Sequence, residues 1–195
     1  MRKAHIERKT AETEITIDIN NLDGNGQYSI QTGIAFFDHM LSHIAKHGLI
    51  DMTIKAKGDT DIDFHHTVED VGICFGQAVK QAIGDKKGIN RYGEATIPLN
   101  EALSSSVVDL CNRTYLVFNA DMLSGKTGDF DTELVEEFFH GFADGASATV
   151  HINTEYGKNL HHVAETIFKS FGVALSKAVA INSRIKDVRS TKEML

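Results

Sequence analysis

Two short stretches of this sequence carry the residue types of a metal centre. Phe64-His65-His66-Thr67-Val68-Glu69-Asp70 and Leu160-His161-His162-Val163-Ala164-Glu165-Thr166 share a His-His-x-x-Glu pattern. Each opens an apolar-periodic stretch, and they lie about half the chain apart in 195 residues. Helix positions i and i+4 share a face, so His65 pairs with Glu69 and His161 with Glu165. At about 100° per residue, His66 and His162 point away from those pairs. One helix can give a His/Glu pair to one ion and a lone His to another, so two helices make two sites. The motifs could meet within one chain or across a contact between copies. Imidazole plus carboxylate suits Mn, Fe, Zn, Co or Ni over Ca or Mg. The lack of cysteine ligands argues against a structural zinc site. A single such pair is usually an exposed helix start; two in register within a repeat are not.

The elements that must position these residues repeat as well. Val71-Gly72-Ile73-Cys74-Phe75-Gly76-Gln77-Ala78-Val79 resembles Ile167-Phe168-Lys169-Ser170-Phe171-Gly172-Val173-Ala174-Leu175. Residues 4–9 read as an edge strand, and Glu14–Asn20 alternates as a half-buried strand. Asn21–Gly26 is turn chemistry and Gln27–Thr32 a second strand, which predicts a hairpin. Ile34–His47 has helical spacing and Gly48 reads as its C-cap. Leu49–Lys57 is strand-like, and the first His-His helix runs over about 65–83. Tyr92–Leu99, Leu103–Leu110 and Tyr115–Asn119 then read as strands, with a polar loop over Ser124–Asp129. A helix over 132–143, a strand over 146–154 and the second His-His helix over about 161–180 follow. Each half thus runs strands, helix, strand, helix: 1–90, then 91–182, then a tail over 183–195. With Pro98 the only proline, no proline-rich linker parts the halves, so they form one fused pseudo-symmetric unit. This order implies an α+β fold with a sheet covered by helices on one face.

Composition narrows the function classes. At 195 residues and 42% hydrophobic the chain can bury one sizeable core or two intimately packed half-size units. A net charge of −7 and a pI near 5.8 argue against a general nucleic-acid binder. No stretch approaches the ~20 apolar residues of a membrane span, and the start leads into no signal-like apolar run. Cys74 and Cys111 sit in apolar surroundings without metal or redox spacing, which points to buried thiols in a reducing cytoplasm.

Phe36-Phe37-Asp38-His39-Met40-Leu41 with His47-Gly48, taken with both His-His motifs, resembles imidazoleglycerol-phosphate dehydratase of histidine biosynthesis. The resemblance runs from Thr10-Ala11-Glu12-Thr13 to the tail. It implies a duplicated half-domain, each half a four-stranded sheet with helices on one side. It also implies a cytoplasmic homo-oligomer, a 24-subunit shell with active sites between subunits. The reaction implied removes water from D-erythro-imidazole-glycerol phosphate to give imidazole-acetol phosphate, with two manganese ions and passage through a metal-bound imidazolate.

Carried over by position, the metal ligands are His39, His65, His66, Glu69, His161, His162 and Glu165, with Glu137 as the eighth. Other members place a histidine where this chain has Glu137, and His140 is the competing candidate. Glu12 takes the acid/base role, and His47 contacts substrate or assists proton transfer. His39, His65, Glu69 and His161 also touch substrate. Phosphate falls to Arg91, Arg113, Lys169, Ser190, Thr191 and Lys192, whose positive groups suit a dianion. Phe64, Arg189 and Glu193 depart from the family, which has aspartate, proline and glycine there. His5, His43 and His151 match no ligand position and read as structural. The competing activities are a two-metal hydrolase with a bridging hydroxide and a protein whose metals only join subunits.

Overall fold

Strand β2 (Thr13–Asn21) shows why the sheets form where they do: Ile15, Ile17 and Ile19 are buried while Glu14, Thr16 and Asp18 face outward. The computed structural model describes residues 1–192 and Met194; Glu193 lies outside the described residues. In the first half, β2 is joined by β1 (Ala4–Lys9), β3 (Tyr28–Gln31), helix α1 (Ala35–Gly48), β4 (Asp51–Gly58) and helix α2 (His65–Ile83). The sheet order is β1-β2-β4-β3. The second half begins with β5 (Tyr92–Leu99), β6 (Ala102–Asp109) and β7 (Tyr115–Asn119). A small hairpin of β8 (Lys126–Thr127) and β9 (Phe130–Asp131) follows, then α3 (Leu134–Ala146), β10 (Thr149–Tyr156) and α4 (Leu160–Val179). Its sheet order, β5-β6-β10-β7, repeats the first.

Three expectations change. β3 does not form a hairpin with β2, because β4 inserts between them and pairs parallel with β3. Helix α1 crosses over to make that parallel pair possible. Gly48 is the last residue of α1 and Leu49 takes the left-handed cap, at φ 56°. The loop expected over Ser124–Asp129 holds β8 and leads into its partner β9.

Gly48 is needed for packing instead. A Cβ there would stand 2.9 Å from the Gly172 carbonyl oxygen, so α1 and α4 touch backbone to backbone. Helices α2 and α3 do the same through Gly72, Gly76, Gly141 and Gly145: a Cβ on Gly76 would lie 2.6 Å from Ala146 N, and one on Gly141 3.0 Å from Ile73 N. Rising positions on one helix meet rising positions on the other, so both pairs run parallel. Each pair joins helices of opposite halves and fuses them into one core. Phe138 stacks on Phe168 at 5.3 Å, Phe139 meets Phe171 at 4.9 Å and Phe75 meets Phe142 at 5.6 Å. No helix among the described residues is long and apolar enough to cross a membrane.

Close approach of this kind tolerates no side chain, and overpacking costs about 1–3 kcal/mol. Gly76→Ala is expected to lower the thermal midpoint by about 2–10 °C for a chain of this size, read by circular dichroism. An unchanged midpoint would mean that α2 and α3 are not in contact there.

Candidate functional site

Parallel pairing brings the N-terminal turns of α1 and α4 together, and with them three ligand-type side chains. His161 Nε2 lies 2.9 Å and His39 Nε2 3.3 Å from the same oxygen, Glu165 Oε1. His43 Nε2 approaches Glu165 Oε2 at 3.3 Å, is buried, and has no hydrogen-bond partner among the described residues. Lys169, one turn further along α4, pairs with the same carboxylate. Burial alone would raise Glu165, but Lys169, His43 and His161 outweigh it and hold the carboxyl at about 2. Burial pushes His43 down to about 4 and also lowers His47, so His43 stands as a neutral imidazole at pH 7. His39, His43 and Glu165 could hold one metal ion.

The α2/α3 pair presents the counterpart. His65 Nε2 and Glu69 Oε2 are 3.9 Å apart on one face of α2. Glu137 stands one turn before Gly141, whose backbone packs on Glu69, so the register sets Glu137 beside that turn. Glu137 also occupies the place of His39: the buried positions Phe37, Met40, Leu41 and Ile44 of α1 match Val135, Phe138, Phe139 and Phe142 of α3. His140 is exposed and turned toward Glu136 at 3.6 Å.

The lone histidines point elsewhere, as helix geometry requires. His66 Nδ1 meets Asp59 at 2.9 Å, and His162 Nδ1 meets Glu101 at 2.8 Å. In each case Nε2 remains for a ligand. The hydrogen bond to Asp59 raises His66, while backbone N–H groups and His162 hold Glu101 at about 2. Asn159 caps α4 by accepting from the backbone of His161 and His162, and Asp63 accepts from His65 N at 2.8 Å. The Asn159 cap fixes where the second motif starts, whereas Phe64, at the start of α2, makes no side-chain cap. Phe64 packs against the core.

At the other end of α4, a cavity of about 760 Å³ collects Arg91, Arg113, Arg189, Ser190, Thr191 and Lys192. The tail is anchored there. Arg91 forks onto Asp109 at 2.7 and 3.0 Å and donates to the Arg189 carbonyl, while Arg189 reaches the Asn90 carbonyl at 3.1 Å. The Arg91 guanidinium is thus spent largely on structure, and Arg113 and Lys192 offer the freer charges. Lys169 is not in this cavity but with Glu165. Glu12 sits exposed in the β1–β2 turn, its side chain without a hydrogen bond or ion pair among the described residues. His47 lies beyond His43 on α1, ring centres 5.6 Å apart. His5 pairs with Asp18, and His151 is exposed.

His43, which matches no ligand position in the sequence, stands in the cluster. Its spacing from His39 and His47, four residues each way, is the signal that places all three on one helix face. Asp59 and Glu101 lie far from their histidines in sequence, and no local pattern marks them.

Residues 32–175 match the model of the imidazoleglycerol-phosphate dehydratase family. The imidazoleglycerol-phosphate dehydratase of Clostridium kluyveri is 54% identical over 195 residues, with both chains covered completely. That of Hydrogenovibrio crunogenus is 57% identical over 196 residues, again with full coverage of both. Among solved structures, the Pyrococcus furiosus enzyme superposes with a TM-score of 0.85 at 34% identity, covering 97% of this chain and 100% of that one. The Staphylococcus aureus enzyme gives 0.81 at 40% identity, covering 92% and 99%.

A cavity with this charge should hold a phosphate dianion. Charge-assisted hydrogen bonds contribute about 1.5–3 kcal/mol each, so Arg113→Ala is expected to weaken inorganic phosphate binding by about 10–100-fold. Arg113 is exposed, so the fold should be unaffected. Isothermal titration of both proteins with phosphate checks this; equal affinities would put the anion elsewhere.

Proposed function

The chain belongs to the imidazoleglycerol-phosphate dehydratase family, enzymes of histidine biosynthesis, and we propose that it dehydrates imidazoleglycerol phosphate at a two-manganese site shared between copies. The observation that carries this reading is the convergence of His39 and His161 on one oxygen of Glu165, with His65 facing Glu69 at 3.9 Å on α2 and Glu137 set beside that turn by helix register. The donor set is imidazole and carboxylate, and the buried, unpartnered Nε2 of His43 lies against it, so the residues present fit a divalent ion such as manganese. His39, His161 and Glu165 would hold one ion and Glu137, His65 and Glu69 the other. His66 and His162, each held by Nδ1, would present Nε2 to the ions of a neighbouring copy.

Distance supports the shared site. The Glu165 cluster lies at the start of α4, whereas the Arg91 backbone N–H bonds to Ala178 near its end. At about 1.5 Å per residue these points are roughly 20 Å apart, too far for one small substrate to bridge within a chain. Copies packed with the cation cavity of one against the cluster of another would complete the site, as a 24-subunit shell allows. The buried free thiols of Cys74 and Cys111 fit the reducing cytoplasm.

When bound, manganese would favour the anionic form of the substrate's imidazole ring. The chain's own residues do the rest. Arg113, Lys192, Ser190 and Thr191 grip the phosphate and fix the glycerol arm. Glu12, whose carboxylate has no hydrogen bond or ion pair among the described residues, takes the proton from C2, and the C3 hydroxyl departs as hydroxide and takes up a proton from solvent to become water. The enol that results ketonises to the product. Lys169 and His47 line the approach to Glu165 and orient the polar arm.

The test is incubation of the purified enzyme with imidazoleglycerol phosphate. Imidazole-acetol phosphate should accumulate without release of inorganic phosphate; free phosphate instead would indicate a hydrolase. General acid/base help is worth about 10²–10⁴ in rate, so Glu12→Gln should lose that much turnover while binding substrate. A Glu12→Gln enzyme with wild-type turnover would remove Glu12 from this role.

A further inference from the structure

Glu12 and Glu101 occupy the same place in the two halves. Gly58 ends β4 where a Cβ would touch Thr13 at 3.5 Å and collide with Thr67. Gly157 follows β10 where a Cβ would meet Ala102 at 3.1 Å and collide with Val163. Thr67 and Val163 hold the same position in their His-His motifs, so Gly58 corresponds to Gly157 and Thr13 to Ala102. The residues before the latter pair, Glu12 and Glu101, are therefore counterparts, in the β1–β2 and β5–β6 turns. The residues after the two glycines, Asp59 and Lys158, are counterparts also.

Their duties differ. Glu101 takes His162 Nδ1 at 2.8 Å and accepts from Asn159 N at 2.9 Å. In the first half the Nδ1 of His66 goes to Asp59 at 2.9 Å. Among the described residues the Glu12 carboxylate has no hydrogen bond; its backbone carbonyl accepts from Asp59 N at 3.1 Å and its backbone N–H donates to Thr10 Oγ1 at 3.1 Å. Lys158, a cation in the place of Asp59, cannot accept from an imidazole N–H. An imidazole whose Nδ1–H is held by a carboxylate is fixed in rotation and tautomer, with the Nε2 lone pair outward. Both lone histidines reach this state, but through carboxylates at non-equivalent positions. Inheritance from a duplicated ancestor does not explain that; a requirement on Nε2 does.

We propose that Asp59 is a positioning residue that holds His66 by Nδ1 and so releases the Glu12 carboxylate, which in the other half, as Glu101, does this holding itself. The release matters because, on the reading above, Glu12 carries the proton of the reaction. The duplicated fold thus has one carboxylate as anchor and its twin as acid/base, and Asp59 is the residue that separates the two roles.

The test is a double-mutant cycle read by manganese titration of the full-length protein. Loss of a carboxylate behind a metal-bound histidine typically weakens metal binding about 10–100-fold. Asp59→Ala should keep its affinity within about threefold, because Glu12 can take over Nδ1 as Glu101 does; Glu12→Ala should also keep it, and the double variant should lose about 10–100-fold. Glu101→Ala, with no substitute nearby, should show that loss alone, and Glu101→Gln, which keeps an acceptor oxygen, should not. Asp59→Ala should lose about 10²-fold or more in kcat while still metal-loaded, its acid/base group now engaged. The proposal is overturned if Asp59→Ala alone loses as much metal affinity as the double variant, if the double variant binds as the wild type, or if Asp59→Ala keeps wild-type kcat. A crystal structure of metal-free Asp59→Ala decides the geometry even for a protein that bound no manganese. Glu12 within hydrogen-bond reach of His66 Nδ1 supports the proposal, and a His66 ring turned away with Glu12 still free overturns it.

Discussion

Backbone contact between parallel helices of opposite halves is the constraint on which the rest of the structure depends. Gly72 and Gly76 of α2 face Gly141 and Gly145 of α3, and Gly48 of α1 faces Gly172 of α4. Because the partners run parallel, their first turns lie side by side, and those turns carry the histidines and glutamates. A sheet alone could not do this: each strand alternates faces, and the ligand set needs two nearby helix starts. The glycines therefore bring the ligand side chains together without touching them.

The two helix pairs are not copies, and the difference lies at these contacts. Where α2 has Gly72 and Ile73, α4 has Phe168 and Lys169; where α3 has Gly141, α1 has His43. The bulkier α1/α4 pair leaves its backbones in contact only further along, at Gly48 and Gly172, and admits a third imidazole and an ammonium beside Glu165. Among the described residues Glu69 has no such cation beside it. The carboxylate of one site is held ionised by its neighbours while the other stands half-exposed. The Glu165 cluster therefore carries an ammonium beside its carboxylate, whereas Glu69 faces a histidine alone among the described residues.

Much of this was legible in the sequence. The His-His-x-x-Glu repeat, read with helix geometry, anticipates that His65 and His161 share a face with Glu69 and Glu165 and that His66 and His162 turn away, as they do. The α+β class and the duplicated sheets follow from the order of periodic stretches. The failures have physical causes. The β2–β3 hairpin fails because turn chemistry at Asn21–Gly26 specifies a reversal but not which strand will lie alongside; β4 arrives later and takes the central place. Glycine after a helix usually supplies positive φ, so the sequence suggests Gly48 as a cap, whereas close packing requires it and Leu49 accepts the strained conformation. Asp59 and Glu101 were invisible because a carboxylate that orients a histidine across a fold leaves no spacing to read. Glu12 became visible only through family resemblance, and its distinction from Glu101 only through the structure.

The chain thus holds histidines and glutamates at one end of its helices and a cation cavity at the other, and the proposed function reads them as one site assembled between copies around two ions. Elemental analysis of the purified protein for metal per chain tests this most directly, alongside Glu137→Ala. Two manganese-class ions per wild-type chain, falling to one in Glu137→Ala, is the result predicted. One ion or none in the wild type, or two retained without Glu137, would contradict a paired site built from both helix pairs.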